Sequence, residues 1–180
     1  MTSVEFPHHM IREIHEEPRV VKAALKQSLN ELQEIVNDVN FKRYGMIYIT
    51  GSGTSYHAGL AGQYALSALT RFVPSLIPAS ELPSWLPPTV SRKALLIAIS
   101  QSGEGSDILN AAKAALNKKM DILAVTNTLG SSLMKMARHT ILTRAGEELA
   151  VTATKSYVAQ LAAIFLLSLG LAMAQESEVE

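Results

Sequence analysis

A run of six apolar residues, 94–99, ends abruptly in Ser100, Gln101, Ser102, Gly103, Glu104, Gly105, Ser106 and Asp107, and helical spacing follows at once. An unbroken apolar run this short suits a strand buried on both faces, which calls for a parallel sheet covered by helices on each side. The same alternation recurs along the chain. Strands are expected at 46–50, 72–78, 94–99, 121–126 and 139–143, and helices at 56–68, 104–118, 131–137 and 154–174. Pro74 places the second strand at an edge of the sheet or shortens it. Ser131 or Ser132 is the expected N-cap of the short helix, and the turn-rich segment 80–88 has room for one helical turn.

Upstream, residues 10–17 read as a short helix, with Pro18 in the first turn of a longer one reaching Val39. Val21, Leu25, Leu29, Leu32 and Val36 then form its expected buried stripe. Residues 1–9 and 175–180 are expected to be flexible, and 10–40 to pack on a single domain that takes in all 180 residues. The chain is thus expected to be a three-layer α/β domain, a doubly wound five-stranded parallel sheet in the flavodoxin-like order 2-1-3-4-5.

The content fits this reading: 48% of residues are hydrophobic, enough for a full core, and 18% are charged. Sixteen basic residues balance sixteen acidic ones, so no basic field exists to draw nucleic acid or an anionic membrane. The absence of cysteine excludes disulfides, thiol catalysis and thiolate-bound zinc in this chain. Its five histidines, His8, His9, His15, His57 and His139, lack metal-ligand spacing, so neither a metal nor a cofactor is expected. The start of the chain lacks the pattern of a signal peptide, and its longest apolar segment, 161–174, falls short of the roughly 20 residues that span a bilayer. A cytoplasmic protein is the default expectation.

In a sheet of order 2-1-3-4-5, ligands settle beyond the carboxyl ends of the first and third strands. The loops leaving both are rich in hydroxyls. Gly51, Ser52, Gly53, Thr54 and Ser55 make a tight strand-to-helix turn whose Ser52, Thr54 and Ser55 can donate to phosphate or sugar oxygens. Neither a P-loop ending nor a full dinucleotide fingerprint follows, which disfavours nucleotides. Facing it, Ser100 to Ser106 sets hydroxyls and glycines before a helix N-terminus, where free N–H groups and the helix dipole favour an anion. Glu104 and Asp107 are expected in the first turn of that helix, as capping charges. His57 stands beside the first loop, as a surface histidine or at the rim of the site. Glu147, Glu148, Thr152, Thr154 and Lys155 cluster before the last helix, either to move protons and bind a ligand hydroxyl or as solvated charge near a helix cap. Trp85, between Pro83 and Pro87, is a loop anchor or part of a partner surface.

These stretches, with residues 126–133 and 148–155, resemble the sugar isomerase (SIS) domain, and within it the first SIS domain in the isomerase part of glucosamine-6-phosphate synthases. The similarity runs from about residue 10 to residue 173. It implies that Ser55, Ser100, Gln101 and Ser102 contact a phosphate, that Thr54 and Val151 line a sugar site, and that two SIS domains pack together. Gly105 stands where those synthases have a phosphate-contacting threonine, and Ala153 where they have a serine; Ser106 is the candidate to replace the missing hydroxyl. The glutaminase cysteine, and the Schiff-base lysine, proton-moving glutamate and ring-opening histidine of a second SIS domain, have no counterpart here. The expectation is therefore a domain that binds a hexose 6-phosphate, of fructose 6-phosphate or glucosamine 6-phosphate type, within an aldose–ketose isomerase and aminotransferase assembly, as a homodimer or paired with a second SIS domain. Glu148 is the first residue to test as its base and His57 as its ring opener. The alternative is a phosphosugar sensor without chemistry.

Overall fold

The computed structural model of the chain describes residues 8–38, 44–90 and 93–176. Its five strands are β1 (Met46–Gly51), β2 (Ser75–Pro78), β3 (Ala94–Ser100), β4 (Asp121–Thr126) and β5 (His139–Leu142), with six helices, α1 (His9–Asp38), α2 (Thr54–Leu69), α3 (Leu82–Trp85), α4 (Ser106–Asn117), α5 (Ser132–Met136) and α6 (Lys155–Glu176). The sheet is parallel throughout, in the order β2-β1-β3-β4-β5. This is the expected flavodoxin-like doubly wound arrangement, with β2 at the edge and shorter than its apolar pattern.

β3 shows why the apolar runs are continuous. Leu95, Ile97 and Ile99 face the layer that holds α1, α2 and α6, where Leu32, Ile35, Leu66, Ile164 and Leu167 complete the core. Leu96 and Ala98 face α3, α4 and α5, against Leu82, Ile108, Ala111 and Leu133. Each fully buried leucine or isoleucine contributes about 1.5–3 kcal/mol by leaving water. α2 lies close to the sheet, because a Cβ at Gly59 would stand 2.9 Å from both Ile49 Cγ2 and Leu76 Cδ1.

Several expectations change. α1 is one helix running through Pro18, where the sequence suggests a break. The proline removes a backbone donor, yet contacts on both sides keep the axis continuous: Glu13 and Glu16 before it, Val20 and Ala24 after it. The buried stripe is also turned by one residue, since Val20 and Ala24 are buried while Leu25 is exposed. Apolar residues occupy both candidate faces, and Val20 is drawn in by Ala145 and Ala159. Leu32 is buried as expected, whereas the side chain of Leu29 and all of Val39 lie outside the described residues.

α6 is longer than its apolar segment, because it begins at Lys155. Among the described helices it alone is long and apolar enough by composition to cross a membrane, at a mean hydropathy of 2.0. Here Ala159, Ala163, Ile164, Leu167 and Leu171 are buried in the core. Gln175 and Glu176 still belong to the helix, and Gln175 Oε1 accepts a hydrogen bond from the Arg71 N–H. Residues 1–7 and 177–180 lie outside the described residues.

Candidate functional site

β1 and β3 are neighbours in the sheet, so the turns that leave them face each other at the switch in strand order. The first turn leads into α2 through Gly53, and Ser55 sits in the opening helical turn, only 6% exposed. The second leads into α4, whose N-cap is Gly105 and therefore supplies no side-chain cap. Ser52, Ser55, Ser100, Gly105, Ser106 and Asp107 line a cavity of about 190 Å3 between the two turns. Its described lining holds no Lys or Arg, so an anion there would rely on hydroxyls, backbone N–H groups and the α4 dipole.

The loop after β3 is held by its own backbone. Ser100 Oγ accepts from the Gly103 N–H at 3.0 Å, and the Gly103 carbonyl accepts from the Leu133 N–H at 3.0 Å. Gly103 has a φ of +66°, and a Cβ there would stand 2.4 Å from Ser131 Oγ, so both backbone shape and space require glycine. The Gln101 carbonyl accepts from the Asn127 N–H at 3.0 Å, tying the loop to the end of β4. Ser102 Oγ accepts from the Glu104 N–H at 3.2 Å.

Glu104 departs from its expected place. α4 begins at Ser106, and the Glu104 carboxylate instead accepts from the Ser132 N–H at 2.7 Å, at the start of α5. That bond to Ser132 holds its carboxyl below the usual range. α5 is also capped by Ser131, whose Oγ accepts from the Met134 N–H. Asp107 remains in the first turn of α4, as the sequence suggests.

The other candidates are spread out. Gln101 and Ser102 sit on the loop but outside the cavity lining, and Thr54 is exposed at the first position of α2. His57 is exposed on the same helix, its ring edge-on to Tyr56 with centroids 5.8 Å apart. Val151 is fully exposed on the segment between β5 and α6 and does not line the cavity. Glu148 caps α6: Oε1 accepts from the N–H groups of Thr154 at 2.9 Å and Ser156 at 3.1 Å, while Oε2 accepts from Ser156 Oγ. Lys155 is buried and donates to Glu16 Oε2 at 2.6 Å. That pairing, ahead of the cost of partial burial, draws the Glu16 carboxyl below its ordinary range.

Sequence reasoning missed three groups that shape this end of the sheet. Glu13 of α1, fully buried, accepts from the Leu149 N–H at 2.6 Å and from the Ala150 N–H at 3.3 Å. Asn127 Oδ1 accepts from the Ala145 N–H at 2.6 Å and from Thr143 Oγ1 at 3.1 Å, and its Nδ2 donates to the Gly146 carbonyl. Gln160 of α6, also buried, donates to Ser55 Oγ at 3.0 Å. The available signal was a polar residue on an otherwise buried helical stripe: Glu13 shares a face with Val20 and Ala24, and Gln160 adjoins Ala159 and Ala163.

A parallel doubly wound sheet with two hydroxyl-bearing turns meeting at its switch point defines a flavodoxin-like α/β domain, a class whose ligands bind beyond the carboxyl ends of the strands. The chain belongs to the SIS domain family, whose profile matches residues 41–169. It is 37% identical over 174 residues to a glutamine–fructose-6-phosphate aminotransferase (isomerizing) of Caldanaerobacter subterraneus, covering 93% of this chain and 28% of that protein. The enzyme of the same name from Methanothermobacter thermautotrophicus is 41% identical over 163 residues, covering 90% of this chain and 27% of its own length. Among solved structures, the C-terminal domain of glucosamine-fructose-6-phosphate aminotransferase from Francisella tularensis superposes with a TM-score of 0.87 at 27% identity, across 98% of this chain and 51% of that one. The chain therefore spans a little over a quarter of the curated relatives it matches.

Proposed function

We propose that the cavity between β1 and β3 holds the phosphate of a hexose 6-phosphate, of fructose 6-phosphate or glucosamine 6-phosphate type, and that the chain is one SIS domain of an aldose–ketose isomerase and aminotransferase assembly. The observation that carries this reading is the meeting of Ser55, Ser100 and Ser106 at an α4 N-terminus without a side-chain cap, in a chain 37% identical to an enzyme named for fructose 6-phosphate. Ser55, Ser100 and Ser106 donate hydroxyls to the phosphate, with the α4 backbone behind them. Gln101 and Ser102 stand on the second turn as further contacts to the phosphate, and Thr54, at the start of α2, lines the sugar side. Val151, exposed and outside the cavity lining, is left free to meet the sugar part of a ligand shared with a second domain.

Size supports the same division. Sites that enclose a whole ligand measure roughly 300–1,000 Å3. The cavity, at about 190 Å3, suits the phosphate end of a sugar and leaves the ring for another element to cover. A second SIS domain, in a longer protein or in a second copy of this chain, would supply that cover.

Isomerisation moves a proton between neighbouring carbons and needs a base beside the open-chain sugar. Glu148, committed to the α6 N-terminus, acts here through the backbone it caps; His57, exposed near the first turn, is the remaining intrachain candidate for ring opening. The commitment of Glu148 favours one further reading, a domain that senses a phosphosugar without converting it.

Calorimetry with fructose 6-phosphate, glucosamine 6-phosphate and free fructose tests the binding. The phosphorylated sugars bind, fructose does not, and Ser55→Ala and Ser100→Ala weaken binding. Equal affinity for fructose, or no binding of either phosphate, would overturn the proposal. NMR of the same mixtures separates turnover from sensing.

A further inference from the structure

Gln160 is a polar side chain in an apolar helix. It is 1% exposed on α6, and its Nε2 donates to Ser55 Oγ at 3.0 Å across 105 residues of sequence. Its Oε1 is equally buried and meets no hydrogen-bond partner among the described residues. A buried amide that leaves one end unsatisfied is costly to keep in a core, so what it does for Ser55 becomes the question.

A serine hydroxyl has a single hydrogen and two lone pairs. With Nε2 filling a lone pair of Ser55 Oγ, the hydroxyl hydrogen is directed away from Gln160. Ser55 lines the cavity between β1 and β3, and that is where the hydrogen is free to point. The reversed amide would present Oε1 instead and absorb the hydrogen, turning Ser55 into an acceptor that faces an anion. Either orientation satisfies one end of the amide and orphans the other, so the two differ little until an anion in the cavity claims the hydroxyl hydrogen.

We infer that Gln160 is the positioning residue of the phosphate site: by donating to Ser55 it makes that hydroxyl a donor toward the anion, and it acts through Ser55 without touching the ligand. The inference rests on the proposed phosphosugar site and adds to it a residue outside both loops.

The test measures fructose 6-phosphate affinity by calorimetry for the full chain and for Gln160→Met, Gln160→Glu, Ser55→Ala and Ser55→Ala/Gln160→Met, with the Tm of each. Methionine keeps the volume of glutamine without its donor. Gln160→Met and Ser55→Ala each weaken binding on the order of tenfold, the scale of one hydrogen bond to a charged group. The double variant is no weaker than Ser55→Ala alone, because both changes remove one interaction. Gln160→Glu adds a readout that packing cannot mimic. Ionised, the carboxylate only accepts and captures the Ser55 hydrogen; protonated, it donates again. Affinity relative to the unsubstituted chain at the same pH therefore recovers as pH falls.

Affinity unchanged in Gln160→Met beside a weakened Ser55→Ala overturns the inference and leaves the phosphate site standing. So does additive loss in the double variant, or a Gln160→Glu ratio that is flat with pH. Failure of both Gln160 variants to fold assigns the residue to the core and also overturns it. An unsubstituted chain that does not bind fructose 6-phosphate, or a Ser55→Ala that binds it as well, sinks the functional reading and the inference together.

Discussion

Lys155, the first residue of α6, donates to Glu16 of α1 at 2.6 Å, joining positions 139 residues apart. One helical turn earlier, Glu13 holds the backbone of Leu149 and Ala150, and further along, Glu31 pairs with Arg144 and accepts from the Leu142 N–H. Three carboxylates of α1 thus brace the connection between β5 and α6, the segment that carries Glu148 and Val151.

The Glu16–Lys155 pair makes part of the stability depend on pH. The Glu16 carboxyl is held below its ordinary 4.5 in the folded chain, first by its hydrogen bond to Lys155. Its contribution is therefore complete above that ordinary value and is lost as pH falls through the lower, folded-state one. Urea denaturation at neutral pH should show Glu16→Gln less stable by about 1 kcal/mol, between the values of exposed and buried pairs. In acid, below the folded-state pKa, the two midpoints should converge; a constant gap would contradict the pairing.

Removing Glu13 leaves two backbone donors without their acceptor. Glu13→Ala should cost about 1–3 kcal/mol, the usual penalty for stranding buried polar groups. Hydrogen exchange locates the effect: the Leu149 and Ala150 amides should exchange faster, while those of β3 keep their protection.

Gly103→Ala should damage the loop after β3 out of proportion to its size. The new methyl would meet Ser131 Oγ at 2.4 Å, and the backbone is in the left-handed region. Together these cost about 2–4 kcal/mol. Thermal unfolding gives the stability loss, and loss of phosphosugar binding beyond the fraction unfolded shows that the turn itself has moved.

Gly105 offers the opposite experiment. Its φ of −60° and ψ of 138° suit any residue, and a Cβ there meets only Ile108 Cγ2, at 3.8 Å. Gly105→Thr should fold normally and raise phosphosugar affinity severalfold by adding a hydroxyl, while Ser106→Ala should lower it by about the same factor. Unchanged affinity in Ser106→Ala would mean that Ser106 does not replace the missing threonine.

Glu148→Ala should shorten α6 from its start. Loss of the bonds to Thr154 and Ser156 is expected to cost about 1–2 kcal/mol, the scale of an N-cap. Circular dichroism and the Tm register it in the ligand-free chain, independent of any turnover.

The parts of the fold legible in sequence were those with a local signature. Residues 94–99 show a strand buried on both faces because every position is apolar, and the alternation of such runs with helical spacing led directly to the order β2-β1-β3-β4-β5. Ser55, Ser100 and Ser106 are legible as candidates because each belongs to a glycine-containing turn where a strand hands over to a helix, and the fold brings the three to one cavity. Glu104 was misplaced for a physical reason: a carboxylate just ahead of a helix has the same local pattern whether it caps that helix or another, and here its partner Ser132 lies 28 residues on. The α1 stripe was turned because apolar residues at 20, 21, 24 and 25 allow two faces, and only packing against Ala145 and Ala159 decides between them. Glu13 and Gln160 bond across 136 and 105 residues, distances at which spacing carries no information.

The brace between α1 and α6 also sets the order of events on the ribosome. α1 precedes β5 and α6 in the chain, so the partners of Glu13 and Glu16, and the Ala145 and Ala159 surface that covers Val20, emerge well after it. Until then Glu13, Glu16 and Val20 lack their native partners and α1 is held only in part, which prolongs its exposure to chaperones and to other chains. Weakening the α1–α6 tie should therefore reduce the yield of folded protein in cells more than the loss in equilibrium stability alone would indicate.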